Sequence, residues 1–289
     1  MDVTVVAAVL AAAFLHAFWN FQVRGTADKA LGMAAVMFGH LPLAWVAMLF
    51  SGLPAFESWP YVFGSAVLHL GYQIFLLNAY RFGELTEIYP IARGASPLLI
   101  TLFTMLALPG TLVPMEILGV IMVSGAIITY GVAQYRRAAV GLTGILLACA
   151  TGCFIASYSI VDATGTRIAT SAIAYYGAST SLNALLLAAY LQVFHPGVLR
   201  RCYHGAPRTF IYGGTASYLA YVTVLWACLY APVAVVSSLR ETSVLFAVGL
   251  GVVFLKERLT WFKIGIILLI FSGVVVLRLT RYLVWHDIL

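Results

Sequence analysis

The chain has 289 residues, of which 63% are hydrophobic and 9% charged, with a mean hydropathy of +1.00. A soluble domain carries about 25% charged residues, so soluble classes are excluded and an integral membrane protein is implied. The net charge of +6 sits in short connectors rather than in a basic stripe, which argues for orientation in a lipid bilayer and against a nucleic-acid partner.

Apolar runs of about 20 residues recur along the chain, each long enough to cross a hydrocarbon core. They predict ten helices, at 3–23, 30–50, 60–80, 85–106 and 113–133, then 141–161, 168–194, 208–230, 232–255 and 261–281. Helix-ending residues punctuate the breaks: Gly52-Leu53-Pro54, Pro109-Gly110-Thr111, Gly165, His195-Pro196-Gly197 and Pro232. The chain starts Met1-Asp2 without a basic segment, so its first apolar run reads as a helix of the architecture and not as a cleavable signal.

Polar residues three or four apart share a helix face, and six helices carry such a face. Helix 1 offers His16, Trp19 and Asn20, and helix 3 offers His69, Tyr72 and Gln73. Helix 4 offers Tyr89, Arg93 and Ser96, with Pro90 and Pro97 bracketing the arginine. Each proline frees a backbone carbonyl, tolerated where protein or water satisfies it. Helix 6 aligns Thr151, Phe154 and Tyr158; helix 8 aligns Tyr218 and Tyr221, with Leu225 below. In helix 9, Ser238, Glu241 and Thr242 form a polar face with Arg240 beside it. Trp59, Trp261 and Trp285 sit near helix ends and read as interface anchors. Cys149 and Cys153 have no histidine at ligand spacing and read as small packing residues, not a metal site.

Arg93 and Arg240 stand out because a charge at bilayer depth costs at least about 2.5–3.5 kcal/mol and usually faces a cavity or a partner. They occupy corresponding places: Ile91-Ala92-Arg93-Gly94-Ala95-Ser96 and Ser238-Leu239-Arg240-Glu241-Thr242-Ser243 align at an offset of 147. Ser124-Gly125 and Ser272-Gly273 recur at an offset of 148. The expected fold is therefore all-α and membrane-integral, ten transmembrane helices forming an inverted five-plus-five repeat around a central cavity. The halves are 1–138 (helices 1–5) and 139–289 (helices 6–10). Successive five-helix units must enter the membrane in opposite senses, which places a binding site near the midplane between them. A purely structural alternative pairs Arg93 with Glu87 and Arg240 with Glu241, although adjacent residues on one helix face apart.

The stretch Leu250-Gly251-Val252-Val253-Phe254-Leu255-Lys256-Glu257-Arg258-Leu259-Thr260, followed by Gly265 and Ser272-Gly273, resembles the closing pattern of the drug/metabolite transporter superfamily, EamA type. The first half departs from it, with Leu108-Pro109-Gly110-Thr111-Leu112 at the equivalent turn. That asymmetry favours a helix-end cap and charge anchor over a role in coupling. The resemblance implies a cavity lined by helices 1, 3, 4, 6, 8 and 9, and small organic solutes such as amino acids, amines or metabolites. Within the superfamily the chain is most similar to amino-acid exporters of the YddG type.

The expected function is export of a small-molecule solute by alternating access, most simply an amino acid or related metabolite; another drug, metabolite or amine is the alternative. Guanidinium groups fit a carboxylate, Glu241 could meet an ammonium, and aromatic faces could stack on it. No cofactor or metal is expected, the protein reads as a monomer of a bacterial inner or plasma membrane, and protons are a candidate coupling ion. No His-Glu-x-x-His, Gly-x-Ser-x-Gly or Gly-rich phosphate loop occurs, which argues against an enzyme. A non-transporting membrane subunit is the remaining alternative.

Outside the arginine motif, eleven Lys and Arg residues fall on one side (Arg24, Lys29, Arg81, Arg136, Arg137, Arg200, Arg201, Arg208, Lys256, Arg258, Lys263) and three on the other (Arg167, Arg278, Arg281). Positive-inside places the eleven in the cytoplasm and both termini outside it, opposite to the orientation the YddG resemblance implies. The charge count thus predicts an active C-terminal alkaline phosphatase fusion and a dark green fluorescent protein fusion; bright fluorescence would reverse the assignment.

Overall fold

The computed structural model describes residues 2–24, 26, 28–82, 85–107, 112–138, 141–255 and 260–286; among them all regular structure is helical. Helix α1 spans Val3–Arg24. Helix α2, Lys29–Gly39, is capped by Asp28, whose carboxylate accepts from the Leu31 N–H at 3.1 Å. The predicted second helix does not run through to residue 50: it breaks at His40, and α3 restarts as Leu41–Ser51 with Pro42 in its first turn. Proline has no N–H to donate back and its ring crowds the carbonyl four residues earlier. Gly52, at φ 74°, ends α3 in a conformation that suits glycine.

A short 3₁₀ turn, Phe56–Ser58, leads into α4, Trp59–Ala79. Helices α5 (Leu85–Ala107) and α6 (Pro114–Ala138) complete the first 138 residues. Helix α7 is Leu142–Ile168, and α8 is Ala172–Phe194, capped by the Ser171 hydroxyl on the Ala174 N–H. The sequence did not foretell α9, Val198–Gly205, an eight-residue helix that buries Val198 and Cys202. It packs on α2 and is tied there by a 3.2 Å ion pair between Arg201 and Asp28.

The last three predicted helices are also helical, two of them interrupted. A π-helical turn, Thr209–Gly213, precedes α10, Gly214–Ala227. The ninth divides into α11, Val233–Arg240, and α12, Ser243–Leu255, and α13 is Trp261–His286. At the break the Thr242, Val244 and Leu245 N–H groups each donate to the carbonyl three residues back, at 2.8–3.1 Å. The helix thus tightens where its two charged residues stand.

Seven described segments are long and apolar enough to cross a membrane: Val3–Val23, Lys29–Ser51, Phe56–Ala79, Pro114–Ala133, Leu142–Ile168, Ala172–Phe194 and Val233–Phe254. Shorter apolar helices lie at Ala92–Ala107 and Trp261–Leu277. The chain is a multi-pass membrane protein. Leu49, Phe50 and Trp261 are each more than 80% exposed, as lipid-facing side chains must be. Cys149 and Cys153 are exposed too, which corrects their reading as packing residues: their stretch of α7 turns outward.

Helices associate α1 with α10, α4 with α7, α3 with α8, α5 with α11, and α6 with α13. Lipid tails are as apolar as leucine, so such contacts rely on close packing of small residues rather than on expulsion of water. A Cβ added to Gly214 would lie 2.6 Å from the Cα of Gly39, and one added to Gly273 would lie 3.0 Å from the Gly119 carbonyl oxygen. The repeated Ser-Gly pairs are not equivalent in this respect, since a Cβ on Gly125 meets nothing within 4 Å.

Gly39→Ala would drive its methyl into the Phe210 carbonyl oxygen. It should cost about 1–3 kcal/mol, read as a lower melting midpoint in detergent. Gly125→Ala should leave the midpoint unchanged or raise it, through helix propensity worth up to about 1 kcal/mol. Equal midpoints for the two variants would show that the α2–α10 crossing is looser than its geometry.

Candidate functional site

Arg93 on α5 and Glu241 at the end of α11 are 3% and 0% exposed. The guanidinium holds the carboxylate by a fork: Arg93 Nε donates to Oε2 at 2.9 Å and Nη2 to Oε1 at 2.8 Å. This two-bond geometry is the strongest available to the pair. Arg240 approaches the same carboxylate, with Nε 3.7 Å from Oε1, but makes no hydrogen bond to it. One buried carboxylate therefore faces two guanidiniums. The Glu87 side chain, expected as an alternative partner of Arg93, lies outside the described residues.

Both arginines border a cavity of about 120 Å³. It reaches from Arg93 and Arg240 out to Val23, Lys29 and Tyr80, at the ends of α1 and α4 and the start of α2. Ten residues singled out from sequence line it: His16, Trp19, Asn20, His69, Tyr72, Gln73, Arg93, Tyr158, Tyr221 and Arg240. Ser96, Tyr218, Ser238 and Glu241 are buried behind the wall and not on it. Ser238 donates to the Ala234 carbonyl at 2.8 Å, and Tyr218 stacks on Tyr176 with ring centres 5.3 Å apart. The Tyr89 side chain lies outside the described residues. The walls also include α2 and α8, which the six-helix expectation left out, through Met37, His40, Thr180 and Asn183.

The polar groups on the wall are held rather than loose. Trp19 Nε1 donates to His16 Nδ1 at 3.2 Å, and Asn20 donates to the His16 carbonyl at 2.8 Å. Gln73 and Asn183 exchange amide hydrogen bonds at 3.0 and 3.3 Å, joining α4 to α8. His40 Nδ1 lies 3.1 Å from the Thr180 hydroxyl and 3.3 Å from that of Tyr176. The break at His40 thus places an imidazole between α2 and α8.

Asp162 is the residue that sequence reading missed. It is fully buried on α7 and accepts from Tyr175 at 3.0 Å and from Tyr221 at 2.5 Å. His69 Nε2 stands 3.0 Å from the same carboxylate. The signal was present, a single carboxylate inside the run Tyr158–Ile168, but nothing matches it in the first half. His69 in turn stacks on Tyr158, 4.0 Å between ring centres and 19° between planes, and Tyr158 meets Tyr72 and Tyr221 edge-on. The result is an aromatic wall fixed from behind by a carboxylate, beside a pair of guanidiniums. Such a surface can take a flat or apolar solute body and an anionic group.

Residues 142–279 match the EamA-like transporter family. A solved crystal structure has the same fold, with a TM-score of 0.77 and 20% identity over 98% of this chain and 99% of that one. No curated protein matches the chain.

The shared carboxylate predicts unequal effects. Glu241→Gln leaves two buried guanidiniums uncompensated and should cost about 3–5 kcal/mol, read as lost melting midpoint or expression. Arg93→Gln should cost less, because Arg240 stands 3.7 Å away and can take the freed carboxylate. The reverse order would mean that Arg240 does not reach Glu241.

Proposed function

We propose that the protein is a membrane transporter that exports small organic solutes, amino acids or related metabolites, by alternating access around this cavity. The observation that carries the reading is the Arg93–Glu241 fork: a buried ion pair between residues 148 apart, one in each proposed half, at the wall of a cavity open toward one face. A merely structural bundle gains little from such a pair, since apolar side chains of similar volume fill the space at no desolvation cost.

The helix associations support an inverted repeat. Numbered as the ten predicted helices, α1, α4, α7 and α10 are helices 1, 3, 6 and 8; if helix n corresponds to helix n + 5, α1 with α10 and α4 with α7 are one contact seen twice. The pairs α3 with α8, α5 with α11 and α6 with α13 are each their own counterpart. A two-fold axis in the membrane plane produces this pattern. On this reading the chain crosses ten times, in halves 1–138 and 139–289.

On this reading the cavity opens beside Val23, Lys29 and Tyr80, next to connectors rich in lysine and arginine. By positive-inside it faces the cytoplasm, the face from which an exporter loads. Arg167 donates to the Cys228 carbonyl at 2.8 and 3.1 Å and to the Ala231 carbonyl at 3.3 Å, tying α7 to the turn after α10. Between the two faces, Arg240 and Tyr221 border both the main cavity and a small void of about 10 Å³ that reaches Cys228 and Val233.

Purified protein in proteoliposomes should transport a labelled amino acid or a related metabolite above empty liposomes, in a panel run with and without a pH gradient. A gradient-dependent rate would assign protons as the coupling ion, and an unchanged one facilitated diffusion. No transport of any panel solute by protein that is folded and inserted would defeat the transporter reading.

A further inference from the structure

The fork of Arg93 is already occupied by Glu241, whereas Arg240 is not so engaged. Among the described residues, Arg240 Nε and Nη2 are buried without a hydrogen-bond partner, and the side chain borders the main cavity at 3% exposure. A buried cation that keeps unpaired donors is costly, and the folded chain retains it without closing it off. Nor is a second protein carboxylate free to answer it. Glu241 is spent on Arg93, and Asp162 is covered by Tyr175, Tyr221 and His69.

We propose that Arg240 is the binding site for the carboxylate of an organic solute, and that the cavity selects organic anions over amines; for the fate of the bound solute this rests on the transporter reading above. The guanidinium presents planar N–H donors to a carboxylate. Tyr72 and Tyr221, both half-buried, line the same cavity and offer ring surface to an organic body, which a small inorganic anion would leave unused. A negative counterpart for an ammonium group is missing: both carboxylates near the site, Glu241 and Asp162, already hold strong donors. Bound carboxylate would supply the charge that Arg240 lacks, so the liganded cavity is the electrically complete one.

The test uses the purified full chain in detergent, with 3-phenylpropionate, 2-phenylethylamine, chloride and phosphate as probes, read by calorimetric binding and by melting. 3-Phenylpropionate should bind and raise the melting midpoint, and 2-phenylethylamine and the inorganic anions should not. Arg240→Gln should weaken 3-phenylpropionate by about 10–100-fold, the value of hydrogen bonds to a charged group. The midpoint of the unliganded variant should stay level or rise, because a buried charge whose donors lack hydrogen-bond partners is gone, and Glu241 keeps its fork to Arg93. Arg240→Lys, which keeps the charge and loses the fork, should fall between. The proposal is overturned if the amine binds as well as the acid, if only the inorganic anions bind, or if Arg240→Gln keeps full affinity. It is equally overturned if Arg240→Gln loses midpoint as Glu241→Gln does, since Arg240 would then be half of a structural pair. Proteoliposomes separate the two readings. Arg240-dependent binding without transport keeps the site and sinks the transporter, whereas transport of solutes that never needed Arg240 does the opposite.

Discussion

One carboxylate shared unequally between two guanidiniums sets the character of this molecule. In a low-dielectric interior a charge is tolerated only when it is paired and hydrogen-bonded. Glu241 satisfies Arg93 by a fork at 2.8 and 2.9 Å and leaves Arg240 at 3.7 Å with unspent donors. The pair joins α5 to α11, so the contact between the first 138 residues and the rest is polar at its centre and apolar around it. Around that residual positive charge stand amides, imidazoles and phenols whose hydrogen bonds are largely made among themselves, with Lys29 farther out.

The backbone is irregular where this chemistry is done. The break at His40 brings an imidazole to Thr180, and the tightened turn at Glu241–Thr242 sets Arg240 and Glu241 toward a common partner despite their adjacency. Inside a bilayer such breaks survive only where protein or a water-filled cavity satisfies the freed backbone groups. They stand beside the cavity rather than against lipid, where long apolar helices such as α4 and α8 carry the load. Glycine contacts such as Gly39 with Gly214 bring the helices close enough to hold these irregular segments in place.

The apolar runs were legible because length and hydropathy act locally: a run of about 20 apolar residues has few alternatives in a membrane. The arginines were legible for the opposite reason, as residues whose cost demands a compensation. What sequence did not show was which partner supplies it. Arg93 was expected to offer its fork to a solute, and Glu241 to an ammonium; the two instead meet each other across 148 residues, a contact no helical spacing could reveal. Asp162 has no counterpart in the first half, so the repeat that marks the arginines does not mark it. Tyr218 and Ser238 share faces with cavity residues yet are buried behind the wall, because a face three residues wide spans both a cavity and the neighbouring helix. The small helix α9 escaped for lack of length, since eight residues leave little periodicity to detect.

In the alternating-access reading, the two cavities that share Arg240 and Tyr221 have a further consequence. A solute passing from the large cavity to the small one must displace these two side chains, and each is tethered differently. Tyr221 is anchored to Asp162 at 2.5 Å, within the bundle of α4, α7 and α8. Arg240 has no hydrogen bond of its own and rides on the tightened end of α11. The mobile part of the barrier is therefore the arginine, and the group best able to move it is an anion that binds it. Recognition and opening then fall on one side chain, with the Arg93–Glu241 fork as the pivot that remains intact while α11 shifts. At the far end the Arg167 clamp is made of hydrogen bonds to backbone carbonyls alone. Such bonds can be exchanged for water when that face opens, at a small net cost compared with parting a buried ion pair. The strong contact lies at the centre and the replaceable one at the rim, the order that the alternating-access reading requires.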